Sequence, residues 1–162
     1  PNLFHHLYLE RAQAHFPSAM TIAPEGLTEK VKSLHVDATY GQSLPEVLTA
    51  DFDHVLIEGA PRFQELVLLH RASKTLLVAD YFFNIQEWQG LLTPLILRLT
   101  GSRKKATQSK LWRKMTKDRA AMARSAEAVL ALDYQRVVMC HGQVVDEGRD
   151  FTRASLQWLL AS

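Results

Sequence analysis

Two side chains that bind metal ions in proteins stand directly after apolar stretches of this sequence. Asp80 follows Leu76–Ala79, and His141 follows Val137–Cys140. A continuous apolar run of this length is typical of a strand buried on both faces, as in the centre of a layered α/β domain. The carboxyl ends of such strands open onto the crevice in which α/β domains bind their ligands. The sequence therefore predicts that Asp80 and His141 contribute to one site.

Two adjacent histidines near the start of the chain add imidazole groups to this pair. On a helix the side chains of His5 and His6 would diverge by about 100°, whereas in a loop or at a helix start both could point into one site. Imidazole and carboxylate together suit zinc, or iron or manganese in its place. We predict a site for one or two such ions, with the ligands His5, His6, Asp80 and His141. The alternative is that all four are capping, turn or packing residues and that no metal is bound.

Two carboxylates flank the turn at Gly59–Pro61. Either Glu58 or Glu65 could enter the same crevice as a ligand or general base, and its pKa would then be perturbed. We expect Glu58 on the exposed side of its strand. Glu65 begins a strand that must pair beside the strand ending at Asp80. We therefore predict Glu65 and Asp80 as the catalytic residues.

The elements that must position these side chains follow from apolar periodicity and turn residues. The layout is mixed, with a β-meander in the middle and helices around it. Ser33–Ala50 carries turn residues, including Tyr40–Ser43, and is expected to cover the surface. The last two strands of the meander are separated by a hairpin-sized gap and should be antiparallel. The predicted helices and strands are a helix over Leu7–Phe16, a helix from Pro24 to Lys32, strands at His54–Glu58, Glu65–His70 and Thr75–Asp80, a helix over Ile85–Leu99 interrupted near Pro94, a long helix over Lys110–Leu132, a strand at Gln135–Cys140 and a helix over Phe151–Leu160.

Length and composition describe an ordinary globular chain, with 162 residues, 47% hydrophobic and 22% charged. This length predicts one domain over 1–162. The single cysteine, Cys140, excludes an internal disulfide, and we expect a buried thiol in a reducing, cytoplasmic setting. The charge-free stretch Trp88–Leu97 is about half as long as the roughly 20 residues that a membrane-spanning helix needs. The sequence has no serine nucleophile elbow, Walker loop or glycine-rich dinucleotide loop, which excludes those classes of site.

The charges are unevenly spread although the net charge is only +2. Nine Lys or Arg and one acid, Asp118, lie between Arg98 and Arg119. Such a segment could attract acidic lipid or nucleic acid, although a charge run is more often a solvated face. Charge alone does not favour a nucleic acid partner. The predicted helix at Trp88–Leu99 has the amphipathic character of a helix at a membrane surface.

The order of these motifs resembles a metallo-β-lactamase-fold hydrolase and, more narrowly, the DUF4336 family of that superfamily. The segments that carry the resemblance are 1–7 (PNLFHHL), 55–59, 65–70 with 73–84, and 139–142. The superfamily implies an αββα sandwich, a mixed β-sheet with flanking helices and a metal site that is often dinuclear. By this resemblance Asp80 matches the bridging aspartate and His141 the final histidine ligand. His5 and His6 fall in the region of the His-x-His-x-Asp-His motif.

The chain also departs from the superfamily pattern. The His-x-His-x-Asp-His motif is not intact, and Ala60 follows Gly59 where the superfamily has a histidine ligand. Either Glu65 substitutes for that ligand or that metal position is lost. The N-terminal strands of the superfamily, roughly the first third of the fold, have no counterpart before Pro1. We therefore expect either self-association into a homo-oligomer or a chain that is part of a longer one.

The resemblance implies a metal-dependent hydrolase with a degenerate site, in which metal-activated water attacks a small-molecule ester, lactone or phosphoester. The alternative is a catalytically inactive domain of the same fold that uses the basic segment 98–119 to bind an anionic partner.

Overall fold

The structure, a computed structural model, describes residues 2–41 and 44–160. The second half of the predicted turn Tyr40–Ser43 and the first residue of the PNLFHHL segment lie outside the described residues. In chain order the helices and strands are α1 (Leu9–His15), β1 (Ile22–Pro24), α2 (Leu27–Lys30), β2 (Ala38–Tyr40), α3 (Glu46–Thr49), β3 (Phe52–Leu56), β4 (Leu66–His70), β5 (Thr75–Val78), α4 (Thr93–Thr100), α5 (Lys110–Met115), α6 (Arg119–Ala131), β6 (Arg136–Met139) and α7 (Gly148–Leu160).

The main sheet contains four strands in the order β3-β4-β5-β6. The β3/β4 and β4/β5 pairs are antiparallel, which confirms the predicted hairpin. The β5/β6 pair is parallel, with Val78 opposite Met139. Because parallel strands run in one direction, the carboxyl ends of β5 and β6 meet at the same edge of the sheet.

One face of this sheet is covered by helices. Val67, Leu76 and Val137 from three neighbouring strands are fully buried and pack in one core with Met122 of α6 and Leu156 of α7. The strands β4 and β5 are apolar along most of their length because they lie inside the sheet. This core holds β5 and β6 in place, and the predicted site residues follow the carboxyl ends of these two strands.

A second, two-stranded sheet precedes the main one. Its strands β1 and β2 are parallel, with Ile22 opposite Ala38. Tyr40 of β2 packs with Leu66 and Leu68 of β4, on the other face of the main sheet. The predicted surface segment Ser33–Ala50 therefore contains a strand and the short helix α3.

The predicted long helix Lys110–Leu132 is wrong, because the chain forms two helices there. The backbone N–H groups of Lys117 and Asp118 donate to the carbonyl oxygen of Gly59 instead of continuing a helix. The side chain of Asp118 then accepts from the N–H of Ala121 and caps α6. The N–H groups that an uninterrupted helix would pair internally thus donate to the carbonyl of a distant turn.

The predicted helix Ile85–Leu99 is correct only from Thr93 onward. Phe83 pairs with Thr107 and Ile85 pairs with Arg103, so the chain is extended after β5. The expected burial of Cys140 is also wrong, because that residue follows the last position of β6 and is exposed. Among the described residues, no helix combines the length and apolarity required to cross a bilayer.

Candidate metal centre

The parallel pairing of β5 and β6 brings Asp80 and His141 together. Each residue stands two positions beyond the paired residues Val78 and Met139. The Nε2 atom of His141 lies 3.0 Å from Oδ1 of Asp80. The pair predicted from the strand ends is therefore in direct contact.

The N-terminal segment places His5 beside the same carboxylate oxygen. The side chain of Asn2 is buried, and its oxygen accepts from the backbone N–H groups of Phe4 and His5. This turn fixes the backbone so that Nε2 of His5 lies 3.0 Å from Oδ1 of Asp80. Both histidines thus face one oxygen atom.

The loop after β6 is locked to the loop after β5. The N–H of Asn84 donates to the carbonyl of His141, and the N–H of Gln143 donates to the carbonyl of Asn84. Gly142 between them has φ +119°, and a Cβ there would lie 2.0 Å from the carbonyl oxygen of Asn84. Only glycine fits this close approach. The ring of Phe83 stacks on His141 with a 9° angle between the planes.

Glu65 lies behind Asp80 rather than among the three clustered side chains. Its Oε1 accepts from the N–H groups of Ala79 and Tyr81, at 2.8 and 2.9 Å. Its Oε2 accepts from the N–H of Asp80 at 3.0 Å and from the amide of Asn2 at 2.8 Å. The carboxylate is fully buried and holds the turn that presents Asp80. The catalytic role of Glu65 stays a prediction.

An aromatic pair supports this turn from another side. The indole N–H of Trp112 donates to the backbone carbonyl of Asp80. The ring of Trp112 stacks on Phe63 at a centroid distance of 3.9 Å. Because Trp112 is fully buried, the backbone of Asp80 is held by a rigid group.

The electrostatics of the cluster favour an ionised Asp80. Burial works to raise the pKa of its carboxyl, but hydrogen bonds from His141, Asn2 and His5 outweigh that effect and lower the pKa to about 2. The hydrogen bond to Asp80 raises the pKa of His141 above its ordinary value of 6.5, against the opposing effect of burial. The carboxylate is therefore negative at neutral pH and attracts protons or cations between the two imidazoles.

The donor set fits a metal ion. Each of His5, Asp80 and His141 offers one ligand atom, and the three atoms lie within 4.8 Å of one another. Two imidazole nitrogens and one carboxylate oxygen are the three-ligand set of many catalytic zinc sites, which leave further positions open. This cluster could hold a metal ion. The structure does not bring His6 into it, and His6 lies instead in the wall of the adjoining cavity.

The cluster lines a cavity of about 700 Å³. The other walls are mainly aromatic and aliphatic, and they include Phe4, Leu7, Phe63, Phe83, Leu111 and Trp112. Among the lining residues that the structure describes, none is a lysine or an arginine. The arrangement offers a few polar atoms at the end of a largely apolar space, which is the usual character of a small-molecule site.

Sequence reasoning missed Asn2, which joins the N-terminal segment to Glu65 and Asp80. Its amide donates to Oδ2 of Asp80 at 2.9 Å while its oxygen closes the turn leading to His5. The sequence feature that could have indicated this turn is an asparagine three residues before a histidine pair, since asparagine side chains often close such turns. That signal predicts the turn but not the two carboxylate partners.

Comparison with known proteins relates this fold to metallo-β-lactamases. The metallo-β-lactamase DIM-1 is similar with a TM-score of 0.56 and 16% identity, over 96% of this chain and 62% of that chain. A metallo-β-lactamase from Pontibacter korlensis has a TM-score of 0.56 and 12% identity, over 95% and 63%. DIM-1 exposed to ceftazidime has a TM-score of 0.53 and 18% identity, over 96% and 63%. No family model matches the chain, and no curated protein matches its sequence.

The chain thus spans a little under two thirds of the length of these proteins, and its mixed α/β structure resembles that part of the metallo-β-lactamase fold. The resemblance predicted from the sequence is confirmed at the level of the fold. The narrower resemblance to DUF4336 stays a prediction.

Proposed function

We propose that this protein is a metal-dependent hydrolase of small esters or lactones that carry an apolar group. One observation carries the proposal: His5 and His141 each place an imidazole nitrogen 3.0 Å from the same oxygen of Asp80, in the wall of a large cavity. The likeness to part of the metallo-β-lactamase fold supports it. Membership of the DUF4336 family belongs to this proposal and is supported by the sequence motifs alone.

In this proposal His5, Asp80 and His141 hold the ion. When bound, such an ion acts as a Lewis acid and provides a reactive water at neutral pH. The chain's own contribution begins with Asn2, whose hydrogen bond to Oδ2 of Asp80 keeps Oδ1 turned toward the two histidines. Glu65 positions the backbone of Asp80 through three backbone N–H groups. These contacts fix the donor atoms in place, which lowers the cost of assembling the site.

The cavity walls favour esters and lactones over phosphoesters. The aromatic and aliphatic side chains around the cluster can bind an acyl or aromatic group and exclude water. A phosphoester is usually held by lysine or arginine, and the described lining of the cavity contains neither. The substrate class proposed is therefore an uncharged acyl compound.

The first experiment measures the metal content of the protein by plasma mass spectrometry after purification without chelator. We expect about one equivalent of zinc, iron or manganese in the wild type and a loss of most of it in Asp80→Ala and His141→Ala. The matched control is His35→Ala. His35 also lies 3.0 Å from an aspartate, Asp37, but this pair is exposed, and no third ligand joins it among the residues that the structure describes.

The second experiment compares hydrolysis of p-nitrophenyl butyrate with that of bis-p-nitrophenyl phosphate by the metal-loaded protein. We expect hydrolysis of the ester only, and its loss in Asp80→Ala but not in His35→Ala. Metal far below one equivalent in the wild type, even after dialysis against zinc, would overturn the metal site. Full metal with no ester hydrolysis would overturn the reaction but not the site.

A further inference from the structure

The short helix α4 presents an apolar stripe to solvent. Its members are spaced i, i+3, i+4 and i+7, which places them on one side of a helix. They are between 56% and 72% exposed, and Leu91, directly before them, is 97% exposed. We call this surface the α4 stripe; its residues are Leu92, Leu95, Ile96 and Leu99.

The exposure of the stripe follows from the way α4 is attached. Leu97, on the opposite side of the helix, is its buried residue. The N–H of Ser102 donates to the carbonyl of Leu97, and Gly101 ends the helix in the left-handed conformation. The helix therefore packs through one leucine and turns the other apolar side chains outward. Four large aliphatic side chains at helical spacing on one surface exceed the scattered apolar residues usual on a monomer.

The chain that follows the stripe is strongly basic. Residues 98–117 contain eight Lys or Arg and no acid. All eight are exposed. The cationic groups of Arg103 and Lys104 lie 5.3 and 5.7 Å from the ring centre of Trp88. The side chain of Lys110 lies against Gly101 at the end of α4: a Cβ added to Gly101 would be 3.2 Å from Cε of Lys110. A lysine side chain thus lies at the end of the helix that carries the stripe, and two more basic groups lie over an indole four positions before Leu92.

We infer that the α4 stripe and the basic segment 98–117 together dock the protein on a membrane surface rich in anionic lipid. A helix with leucines on one side and Lys or Arg nearby has the features of a segment that lies in the lipid headgroup region. The basic segment complements the negative charge of such a surface. Nucleic acid would match the charge but offers no partner for four aliphatic side chains. A second copy of the chain would cover the leucines but would bring a second basic segment against the first.

The test is sedimentation of the purified protein with vesicles of phosphatidylcholine, alone or with about 30% phosphatidylserine. We expect binding to the anionic vesicles only, weakening as salt is raised. The triple variant Leu92→Ser, Leu95→Ser, Leu99→Ser should lose at least about tenfold in affinity, since its apolar contacts are removed. Lys104→Glu with Lys105→Glu should lose a similar factor, because one basic residue near a charged surface changes affinity about fivefold.

Two control variants carry changes of the same kind elsewhere on the surface. Val47→Ser with Val144→Ser removes two other exposed apolar side chains, and Arg11→Glu with Lys32→Glu reverses two exposed charges outside the basic segment. Both should bind the vesicles as the wild type does, and thermal unfolding should show every variant folded. No binding to anionic vesicles would overturn the inference, as would full binding by the triple serine variant. Light scattering that shows a dimer broken by the serine variant, without lipid binding, would assign the stripe to self-association instead.

Discussion

The buried carboxylate of Glu65 gives the sharpest test of how the site is built. Both of its oxygens act only as acceptors, and each receives two N–H donors. In Glu65→Gln one oxygen becomes an NH₂ group that faces two of those donors. The amide of Asn2 cannot rotate to compensate, because its own oxygen already accepts from Phe4 and His5. The substitution therefore removes two hydrogen bonds and leaves buried donors unpaired.

The expected cost follows from that count. A buried polar group left without its partner costs about 1 to 3 kcal/mol, so two such losses give about 2 to 6 kcal/mol. A domain of this size is stable by only about 5 to 15 kcal/mol, so the change takes a large share of the total. Because the turn at Asp80 loses its anchor, metal affinity should also fall by about 10- to 100-fold.

Urea unfolding followed by far-ultraviolet circular dichroism measures the first effect, and zinc titration against a competing chelator measures the second. Glu58→Gln is the matched control, because Glu58 is exposed and its ion pair with Arg124 is 3.9 Å long. That change should shift the free energy of unfolding by less than about 0.5 kcal/mol. The reasoning is refuted if Glu65→Gln unfolds within about 0.5 kcal/mol of the wild type. A variant that keeps stability and metal but loses ester hydrolysis would instead support a catalytic Glu65.

Two further predictions concern the strand ends. Gly142→Ala should lower the free energy of unfolding by about 3 kcal/mol or more, because φ +119° is strained for alanine and its Cβ would lie 2.0 Å from the carbonyl oxygen of Asn84. Gly90→Ala is the control, because Gly90 also has a positive φ but a Cβ there would lie 3.5 Å from its nearest neighbour. That change should cost only about 1 kcal/mol in the same urea assay. In chelator, the raised pKa of His141 means that its ion pair with Asp80 stabilises the fold fully below pH 6.5 and is lost as pH rises through the raised pKa. The free energy of unfolding should therefore differ more between wild type and His141→Ala at acid pH than at alkaline pH. The part of this difference that changes with pH should be smaller than about 1 kcal/mol, because the side chain of His141 is partly exposed. A difference that grows as the pH rises would contradict this sign.

Much of the scaffold could be predicted because the signals are local. The apolar runs before Asp80 and His141 identify β5 and β6, and the four-residue gap Arg71–Lys74 identifies the hairpin. The predicted helix Lys110–Leu132 failed for a non-local reason, since the carbonyl of Gly59 takes the N–H groups of Lys117 and Asp118. Helical periodicity continues through such a break, so no local pattern predicts it.

The amino-acid sequence alone indicates that two core strands end in a carboxylate and an imidazole, and that a histidine pair stands near its start. It did not determine which of those histidines meets Asp80, or where Glu65 points. Those outcomes depend on hydrogen bonds that join Asn2 to Glu65 and Asp80, across 63 and 78 positions of the chain. Periodicity and turn chemistry describe residues a few positions apart, whereas partners so distant meet only when the sheet has formed. The tertiary structure alone therefore decided that His5 lies beside Asp80, that His6 lines the cavity and that Glu65 holds the turn from behind.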